Sequence, residues 1–255
     1  MNKINHELIK QSFSKQASSF PDSPVLGDVR QIEAIVDMAG IQEGEWVLDL
    51  GCGTGLITRA LARRSSQVVG LDLTLQMLEK AKEQGDKQGL APLYVQGDAC
   101  QTPFISEMFD CVVTRLTLHH MTEPERLIWE IKRVLKPSGR LILADIIADA
   151  DPEKQKRHNQ LEQLRDPSHV KFLTEQEIEE LLLTTGFSLI STKRWETNRT
   201  LAEWLAVTGS DKQHDIVKMM EEGMEEDAFG LQIRYEMNDI VFTHHWYSVQ
   251  TVKSK

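Results

Sequence analysis

The sequence predicts an α/β fold in which helices cover both faces of a mostly parallel β-sheet. Segments with a strand pattern alternate with segments of helical spacing from residue 46 to 148, which is typical of βαβ units. Several of these strands, such as Val47–Leu50 and Leu141–Leu143, are apolar at almost every position, as burial on both faces requires. A glycine-rich turn, DLGCGTG at 49–55, joins the first of them to a helix.

Composition limits the class of protein. The chain has 255 residues, of which 40% are hydrophobic and 27% charged, as in ordinary globular domains. The net charge of −10 disfavours a nucleic-acid partner, because phosphate binding needs a positive surface. Three cysteines without a CxxC pair disfavour a disulfide framework, and no metal site is predicted. No membrane span or signal peptide is found in the sequence, so a cytoplasmic location is expected.

The N-terminal region is predicted to contain one clear helix. Pro21 and Pro24 interrupt any helix before it. Apolar residues at helical spacing then fill residues 28–40, with Asp28 as the N-cap and Gly40 as the stop.

The central region alternates strand and helix. Helices are predicted at 56–64, 75–89 and 123–135, the last stopped by Pro137. Strands are predicted at 46–50, 67–73, 92–98, within 108–120, and at 139–147.

The pattern changes after Asp149. Residues 149–173 are polar with no clean period, and residues 199–237 are expected to be mostly helical. Between them, Thr174 and Glu177 form a capping-box pattern for a helix that ends at Gly186, and a strand follows at 188–195. A final strand is expected at 239–252. With no linker in sight, residues 1–255 are predicted to be a single domain with insertions at 149–173 and 199–237.

The glycine turn does not fit a dinucleotide or a P-loop. The G-x-G-x-x-G pattern matches at Gly51 and Gly53, but its third glycine would fall at Leu56, and Gly55 comes one residue early. No Gly-Lys-Ser/Thr follows, as a P-loop requires. Asp49 would repel a pyrophosphate and suits a cationic ligand better.

Two further acids extend this prediction. Asp72 ends the second strand about 20 residues after Gly51, where this architecture places an acid on the hydroxyls of a ribose. Asp98, in the GDA sequence of Gly97–Ala99, can accept a hydrogen bond from an exocyclic amine such as that of adenine. The three acids together predict a ligand that carries adenosine and a cationic, amino-acid-like end.

At this point the sequence resembles a known family. D-x-G-x-G-x-G, the acid after strand two, GDA, FDCVV at 109–113 and RVLKPSGRLIL at 133–143 resemble class I S-adenosylmethionine-dependent methyltransferases. The small-molecule branch, which contains the ubiquinone/menaquinone C-methyltransferases and the type 11 methyltransferases, is the most similar. This resemblance implies a Rossmann-like three-layer α/β/α sandwich whose seven-stranded, mostly parallel sheet has an antiparallel last strand. It also implies a lid at 1–40, a cofactor-binding core at 41–148 and insertions that shape the substrate pocket.

The resemblance implies a role for each matching residue. Asp49 would lie near the methionyl amine, and Gly51, Cys52, Gly53 and Gly55 would pass under the methionyl and ribose parts. Asp72 would bind the ribose hydroxyls, while Leu73 and Met77 would flank the adenine. Asp98 would accept from the adenine amine, with Gly97 and Ala99 beside it. Arg115 would offer backbone contacts to the methionyl end, and Phe13 and Gln16 would belong to the lid.

The methyl acceptor is less defined. An enzyme that transfers a methyl group from S-adenosylmethionine to a small molecule, leaving S-adenosylhomocysteine, is the leading hypothesis. A cofactor-binding protein without transfer activity, or a protein or RNA methyltransferase, is the alternative. An acceptor hydroxyl or acidic carbon needs a base, for which His119, His120 and His169 are candidates.

Other residues could shape the acceptor site. Arg157, Arg165 and Lys171 could bind an anionic acceptor. Successive side chains of a strand point to opposite faces, so His244 and His245 are not expected to share a metal. The sequence predicts neither the acceptor nor the oligomeric state.

Overall fold

The fold alternates helices and strands along most of the chain. The computed structural model describes residues 3–17, 27–65, 67–208, 211–237 and 239–254. The helices are α1 (Lys3–Gln16), α2 (Val29–Ala39), α3 (Leu56–Ala62), α4 (Leu75–Lys87), α5 (Pro124–Val134), α6 (Pro152–Arg165), α7 (Glu175–Thr184), α8 (Leu201–Thr208) and α9 (Gln213–Glu222). The strands are β1 (Val47–Leu50), β2 (Val68–Asp72), β3 (Leu93–Gln96), β4 (Phe109–Arg115), β5 (Leu135–Ile147), β6 (Phe187–Thr200), β7 (Arg234–Glu236) and β8 (Asp239–Lys253). Of the helices in the described residues, none combines the length and the apolar character needed to cross a membrane.

The strands form one sheet in the order β3-β2-β1-β4-β5-β8-β6, and short β7 also pairs with β8. The pairs among β1 to β5 are parallel, whereas β8 runs antiparallel to both β5 and β6. The predicted Rossmann-like fold, with its mostly parallel sheet and antiparallel last strand, is therefore confirmed, and β7 is an addition to it. The chain reverses its direction of travel across the sheet between β1 and β4, which is where ligands bind in such folds.

Apolar cores lie on both faces of the sheet. Ile35 and Leu61, from α2 and α3, are fully buried against one face. Ile131 and Leu182, from α5 and α7, are fully buried against the other. A separate cluster joins α6, α8 and α9 to the start of β8, so the two segments expected as insertions pack against each other.

Local signals in the sequence place most helix ends correctly. The Asp28 side chain accepts a hydrogen bond from the Arg30 amide at 2.9 Å and caps α2, which ends at Gly40 in the left-handed conformation. Thr174 and Glu177 form both hydrogen bonds of the predicted capping box. The predicted interruption at Pro21 and Pro24 lies outside the described residues.

Three expectations for the insertions and the strand between them are corrected. The segment 149–173, which shows no helical period, contains α6, capped by the Asp151 side chain. Residues 223–237 were expected to be helical, but they form turns and β7. Strand β6 continues to Thr200 beyond its predicted end, because it pairs with β8 along its length.

The turn after β1 is packed too closely for any side chain at Gly51. Its φ is +75°, and a Cβ added there would lie 2.3 Å from Oγ1 of Thr117, just beyond β4. The amides of Gly51 and Cys52 both donate to the Leu71 carbonyl, at 2.8 and 2.9 Å. The turn is therefore fixed between the ends of β2 and β4.

We expect Gly51→Ala to destabilise the protein more than Gly44→Ala does. Gly44 has a similar φ of +83°, but a Cβ there meets nothing within 4 Å. Its substitution should therefore lower the free energy of unfolding only by the strain of a left-handed backbone, about 1–2 kcal/mol. Gly51→Ala adds the overlap with Thr117, typically about 1–3 kcal/mol for overpacking. Urea unfolding measures both variants. Thr117→Ala should restore part of the loss only in the Gly51→Ala background; equal losses in the two glycine variants would contradict the close packing.

Candidate functional site

The carboxyl ends of β1, β2 and β4 open into a cavity of about 850 Å³, solvent-open space included, which we call the first cavity. Ile9 and Phe13 of α1 lie across it. Of the predicted binding residues, those that line it are Asp49, Gly51, Cys52, Gly53, Asp72, Leu73, Gly97, Asp98, Ala99, Arg115 and Phe13. Gly55 instead begins α3 in the left-handed conformation, and Met77 is fully buried in α4; neither belongs to the lining.

Asp49 is a buried acid at the base of the first cavity. Its carboxylate accepts a 2.5 Å hydrogen bond from the Thr58 hydroxyl, and only 2% of the residue is exposed. Burial raises the pKa of Asp49 to about 7, since water no longer solvates its charge, and the neighbouring Asp72 adds to the rise. No described cation lies within ion-pair distance of this carboxylate. A cationic ligand would stabilise its charged form.

Asp72 and Asp98 have partners of their own within the protein. Asp72 accepts hydrogen bonds from the amides of Gly53, at 2.8 Å, and Thr74, at 2.9 Å, and burial raises its pKa. Asp98 accepts from the Cys100 amide at 2.8 Å, and its other oxygen lies 3.1 Å from Nε2 of His6. These contacts fix the glycine turn and the position of α1. Each carboxylate oxygen still has a second lone pair.

Arg115 is a buried cation without hydrogen-bond partners at two of its nitrogens. It is 8% exposed, and its Nε and Nη2 have no partner among the described residues. The guanidinium lies 5.1 Å from the centre of the Trp246 ring, and burial lowers the pKa of Arg115 to about 10. Buried polar groups normally have partners, so an unpaired guanidinium beside a cavity marks a site for an anion. The sequence expectation concerned only the backbone of Arg115.

The three candidate histidines lie together but have different partners. Nδ1 of His119 lies 2.7 Å from a carboxylate oxygen of Asp145. A carboxylate can only accept, so in the neutral ring this contact places the proton on Nδ1 and the lone pair on Nε2. Nδ1 of His120 lies 3.0 Å from the Ser168 carbonyl, and burial lowers the pKa of His120 to about 4. His169 contacts Oδ1 of Asn159 through Nε2 at 2.7 Å and lines neither the first cavity nor its neighbour.

A second cavity of about 530 Å³, solvent-open space included, adjoins the first and shares Phe13, Leu116 and His120 with it. Its other lining residues are Gln16, His119, Ile146, Arg165, Asp166, Phe172, Arg199, Trp204, Val207 and His244. Arg199 is 5% exposed, its Nε has no partner in the described residues, and burial lowers its pKa to about 10.

The cations expected to attract an anion are mostly engaged elsewhere. Lys171 pairs with Glu177 at 2.6 Å, and Arg157 lies over the Phe229 ring. Arg165 lines the second cavity but pairs with Glu162 at 2.9 Å.

One buried group in the described residues could hold a metal ion: His158, Glu162 and His244. Burial lowers the pKa of His158 to about 3 and that of His244 to about 4, so both rings are neutral near pH 7. His245 is not part of the group; it pairs with Glu196 at 3.3 Å. The two adjacent histidines therefore lie apart, as the strand alternation predicts.

Sequence reasoning missed several of these residues. Asp145 lies within an apolar strand, and Arg199 lies in a segment taken as helical. Asp145, as a buried acid in a strand, is the one with a usable signal, because buried acids are rarely without a partner.

Comparison with known proteins identifies the central unit. Residues 48–143 match the family model described as a methyltransferase domain. The chain contains a methyltransferase domain. The first cavity lies at the carboxyl ends of the strands in that domain.

Relatives whose similarity extends beyond this unit are also methyltransferases by name. YcgJ of Bacillus subtilis, a methyltransferase of uncharacterised activity, is 26% identical over 94% of this chain and 97% of its own. Its crystal structure superimposes with a TM-score of 0.83 at 25% identity, covering 89% of this chain and 99% of that one. A demethylmenaquinone methyltransferase of Clavibacter sepedonicus is 30% identical over 65% of both chains.

A more distant structure shares the fold of the methyltransferase domain. Phosphoethanolamine N-methyltransferase 2 of Haemonchus contortus, solved with phosphomonomethylethanolamine and S-adenosylhomocysteine, has a TM-score of 0.63 at 24% identity. The match covers 89% of this chain and 54% of that one.

We expect Arg115→Met to leave the free energy of unfolding unchanged or to raise it by about 1 kcal/mol or more. Methionine keeps the contact with Trp246 and removes a buried, unpaired charge. Arg59→Met is the matched control, because Nη1 of buried Arg59 donates to the Thr54 carbonyl at 2.6 Å. Losing that bond should cost about 1–3 kcal/mol. Urea unfolding measures both variants; an equal loss in the two would show that Arg115 has a structural partner.

Proposed function

We propose that this protein transfers a methyl group from S-adenosylmethionine, bound in the first cavity, to a small molecule in the second cavity. The observation that carries the proposal is that Asp49 and Arg115, two buried residues of opposite charge, line one cavity and form no ion pair within the described residues. A methionyl group ends in an ammonium and a carboxylate. Asp49 would bind the ammonium, and the unpaired guanidinium nitrogens of Arg115 would bind the carboxylate.

The adenosine half would occupy the remaining lining of the first cavity. Asp72 would accept from the ribose hydroxyls, and Asp98 from the adenine amine. Leu73 and Ala99 would contact the ring, with Met77 packed behind them. The turn of Gly51, Cys52 and Gly53, followed by Gly55 at the start of α3, would bring backbone close to the ligand, with Cys52 in the same lining. The S-adenosylhomocysteine bound to the Haemonchus contortus enzyme supports the same ligand here.

Helix α1 would close the first cavity over the cofactor. Nδ2 of Asn5 donates to the His120 carbonyl at 2.7 Å, and the Phe13 ring lies 5.1 Å from that of His120. His6 contacts Asp98 at 3.1 Å. A cofactor that enters must displace these contacts, so α1 would act as the lid expected from the sequence.

The second cavity supports a small acceptor. It adjoins the first at His120, and its walls combine the aromatic rings of Phe172 and Trp204 with the guanidinium of Arg199. Such a lining favours a molecule with an apolar ring and an anionic group. The demethylmenaquinone methyltransferase relative is consistent with an acceptor that contains a ring.

The protein's own groups would position the acceptor and remove its proton. S-adenosylmethionine supplies an activated methyl group, so the chain need supply only orientation and, for a hydroxyl or acidic carbon, a base. His119, oriented by Asp145, lines the second cavity and has its Nε2 lone pair free for a proton. Asp145 would stabilise the imidazolium that results. His120, whose pKa is about 4, is a weaker base in the empty protein.

The affinity for S-adenosylmethionine should rise about tenfold between pH 5.5 and 7. The pKa of Asp49 is about 7 in the empty protein, and a bound ammonium lowers it, so binding releases a proton below pH 7. This range lies below the pKa of the ligand's α-amino group, about 7.7–8.0. Calorimetry across the range measures the effect. Asp49→Asn should bind more weakly and without that slope; a slope that persists in this variant would assign the titration to another group.

Arg115→Met should weaken the binding of S-adenosylmethionine and S-adenosylhomocysteine by more than about tenfold, since a charged hydrogen bond contributes about 1.5–3 kcal/mol. 5′-Methylthioadenosine, which lacks the amino-acid end, should bind wild type and variant equally. Loss of binding of all three ligands by the variant would indicate a damaged cavity.

The wild type tests the proposed function itself. If it binds none of the three ligands, the proposed function is refuted. Binding without methyl transfer to a panel of ring-containing acids would favour a non-catalytic cofactor-binding protein.

A further inference from the structure

Three buried side chains of unassigned role meet beside the second cavity. His158 and Glu162 lie one turn apart on α6, and His244 faces them from β8. Each is 1% exposed. Nε2 of His244 lies 3.3 Å from Oε1 of Glu162, and Nε2 of His158 lies 3.9 Å from the same oxygen. One ligand atom from each residue falls within 4.8 Å of the others.

These groups lack the partners that buried polar atoms normally have. Both ring nitrogens of His158, both of His244 and Oε1 of Glu162 make no hydrogen bond in the described part of the chain. Leaving a buried polar group unpaired costs about 1–3 kcal/mol. Several such atoms that converge on one point need a common partner.

An ion pair within the protein does not account for them. A protonated His244 could donate to Glu162 across 3.3 Å, but His158 would still lack a partner at either nitrogen. The other oxygen of Glu162, Oε2, already accepts from Arg165 at 2.9 Å. That bond orients the carboxylate and leaves Oε1 toward the two histidines.

We propose that His158, Glu162 and His244 bind a divalent transition-metal ion, with Zn²⁺ as the reference ion. Two imidazoles and one carboxylate are a ligand set that Zn²⁺ takes with an open fourth position. Ca²⁺ and Mg²⁺ need about six oxygen ligands, which this group does not offer. Tetrahedral zinc at about 2.0–2.2 Å from each ligand needs ligand atoms about 3.4 Å apart. The two histidines lie 3.3 and 3.9 Å from the Glu162 oxygen, and all three ligand atoms lie within 4.8 Å of one another.

The site would adjoin the place proposed for the acceptor. His244 is the ligand that also lines the second cavity. Arg165 and Arg199 add positive charge nearby, so an anion, such as hydroxide or an acidic oxygen of the acceptor, is expected at the fourth position. Metal binding itself does not depend on the proposed methyl transfer and is measured without it.

The test is the stoichiometry of Zn²⁺ on the full chain after treatment with a chelator. Wild type should bind one ion per chain in a titration against a competing metal indicator. Co²⁺ should give the strong visible absorption of a four-coordinate site. The affinity for Zn²⁺ should fall by more than about tenfold in each of three variants, His158→Asn, His244→Gln and Glu162→Gln. Even residues that only contact a metal ligand alter metal affinity by about 10- to 100-fold.

Two matched variants control for other histidines. His245→Ala removes the neighbour of His244 on the opposite face of β8, and His214→Ala removes an exposed histidine of α9. Both should bind Zn²⁺ as wild type does. The proposal is overturned if wild type binds less than one ion, or if binding survives in both His158→Asn and His244→Gln. Because the first outcome concerns wild type alone, a variant that fails to fold does not protect the proposal.

Discussion

The turn after β1 is the constraint on which the rest of the structure depends. Parallel pairing of β1 with β2 and β4 brings three strand ends to one edge, and at that edge the chain must turn within the width of a backbone. Gly51 turns directly against Thr117, and its amide bonds to the carbonyl of Leu71. A side chain at Gly51 would overlap Thr117, so this glycine is needed for the turn to pack between the ends of β2 and β4. The turn packed in this way lines the first cavity.

Two residues of the first cavity are buried in a way that lowers the stability of the folded protein. Asp49 is buried far enough for its pKa to reach about 7, and Arg115 is buried with nitrogens unpaired. Each charge favours the charged form of the other, but the two form no ion pair, although both line one cavity. Groups held in this way gain a partner only when a ligand of opposite charge arrives, so the energy that burial costs in the empty state strengthens binding. Asp72 and Asp98 show the other arrangement, in which an acid contacts a backbone amide or a side chain of α1 and still retains a lone pair.

The sequence predicts those helices and strands whose positions are set by local signals, such as apolar spacing and capping residues. Strands β1 to β4, the cap at Asp28 and the capping box at Thr174 all depend on local chemistry, and the sequence places them correctly. Strand β5 begins at Leu135, before its predicted start at residue 139. The residues that line the first cavity at the ends of β1, β2 and β3 are also predictable, because topology brings those ends together. The partners of Arg115 and His119 are not, because they depend on which residues reach the same point from distant strands.

Helix α6 is an element that the spacing of apolar residues does not predict. Its buried face carries His158, Asn159 and Glu162 in addition to Leu161, so the apolar positions alone show no helical period. Burial of polar side chains on a helix face is unfavourable unless they have hydrogen-bond or ion-pair partners. In α6 such partners come from β8 and from the segment that follows the helix. Asn159 finds its partners in the backbone of Phe172, whereas His158 finds none among the described residues. His158 and Glu162, two of the residues that hide the helix from a search for apolar spacing, are thus also two of the residues for which we propose a further ligand.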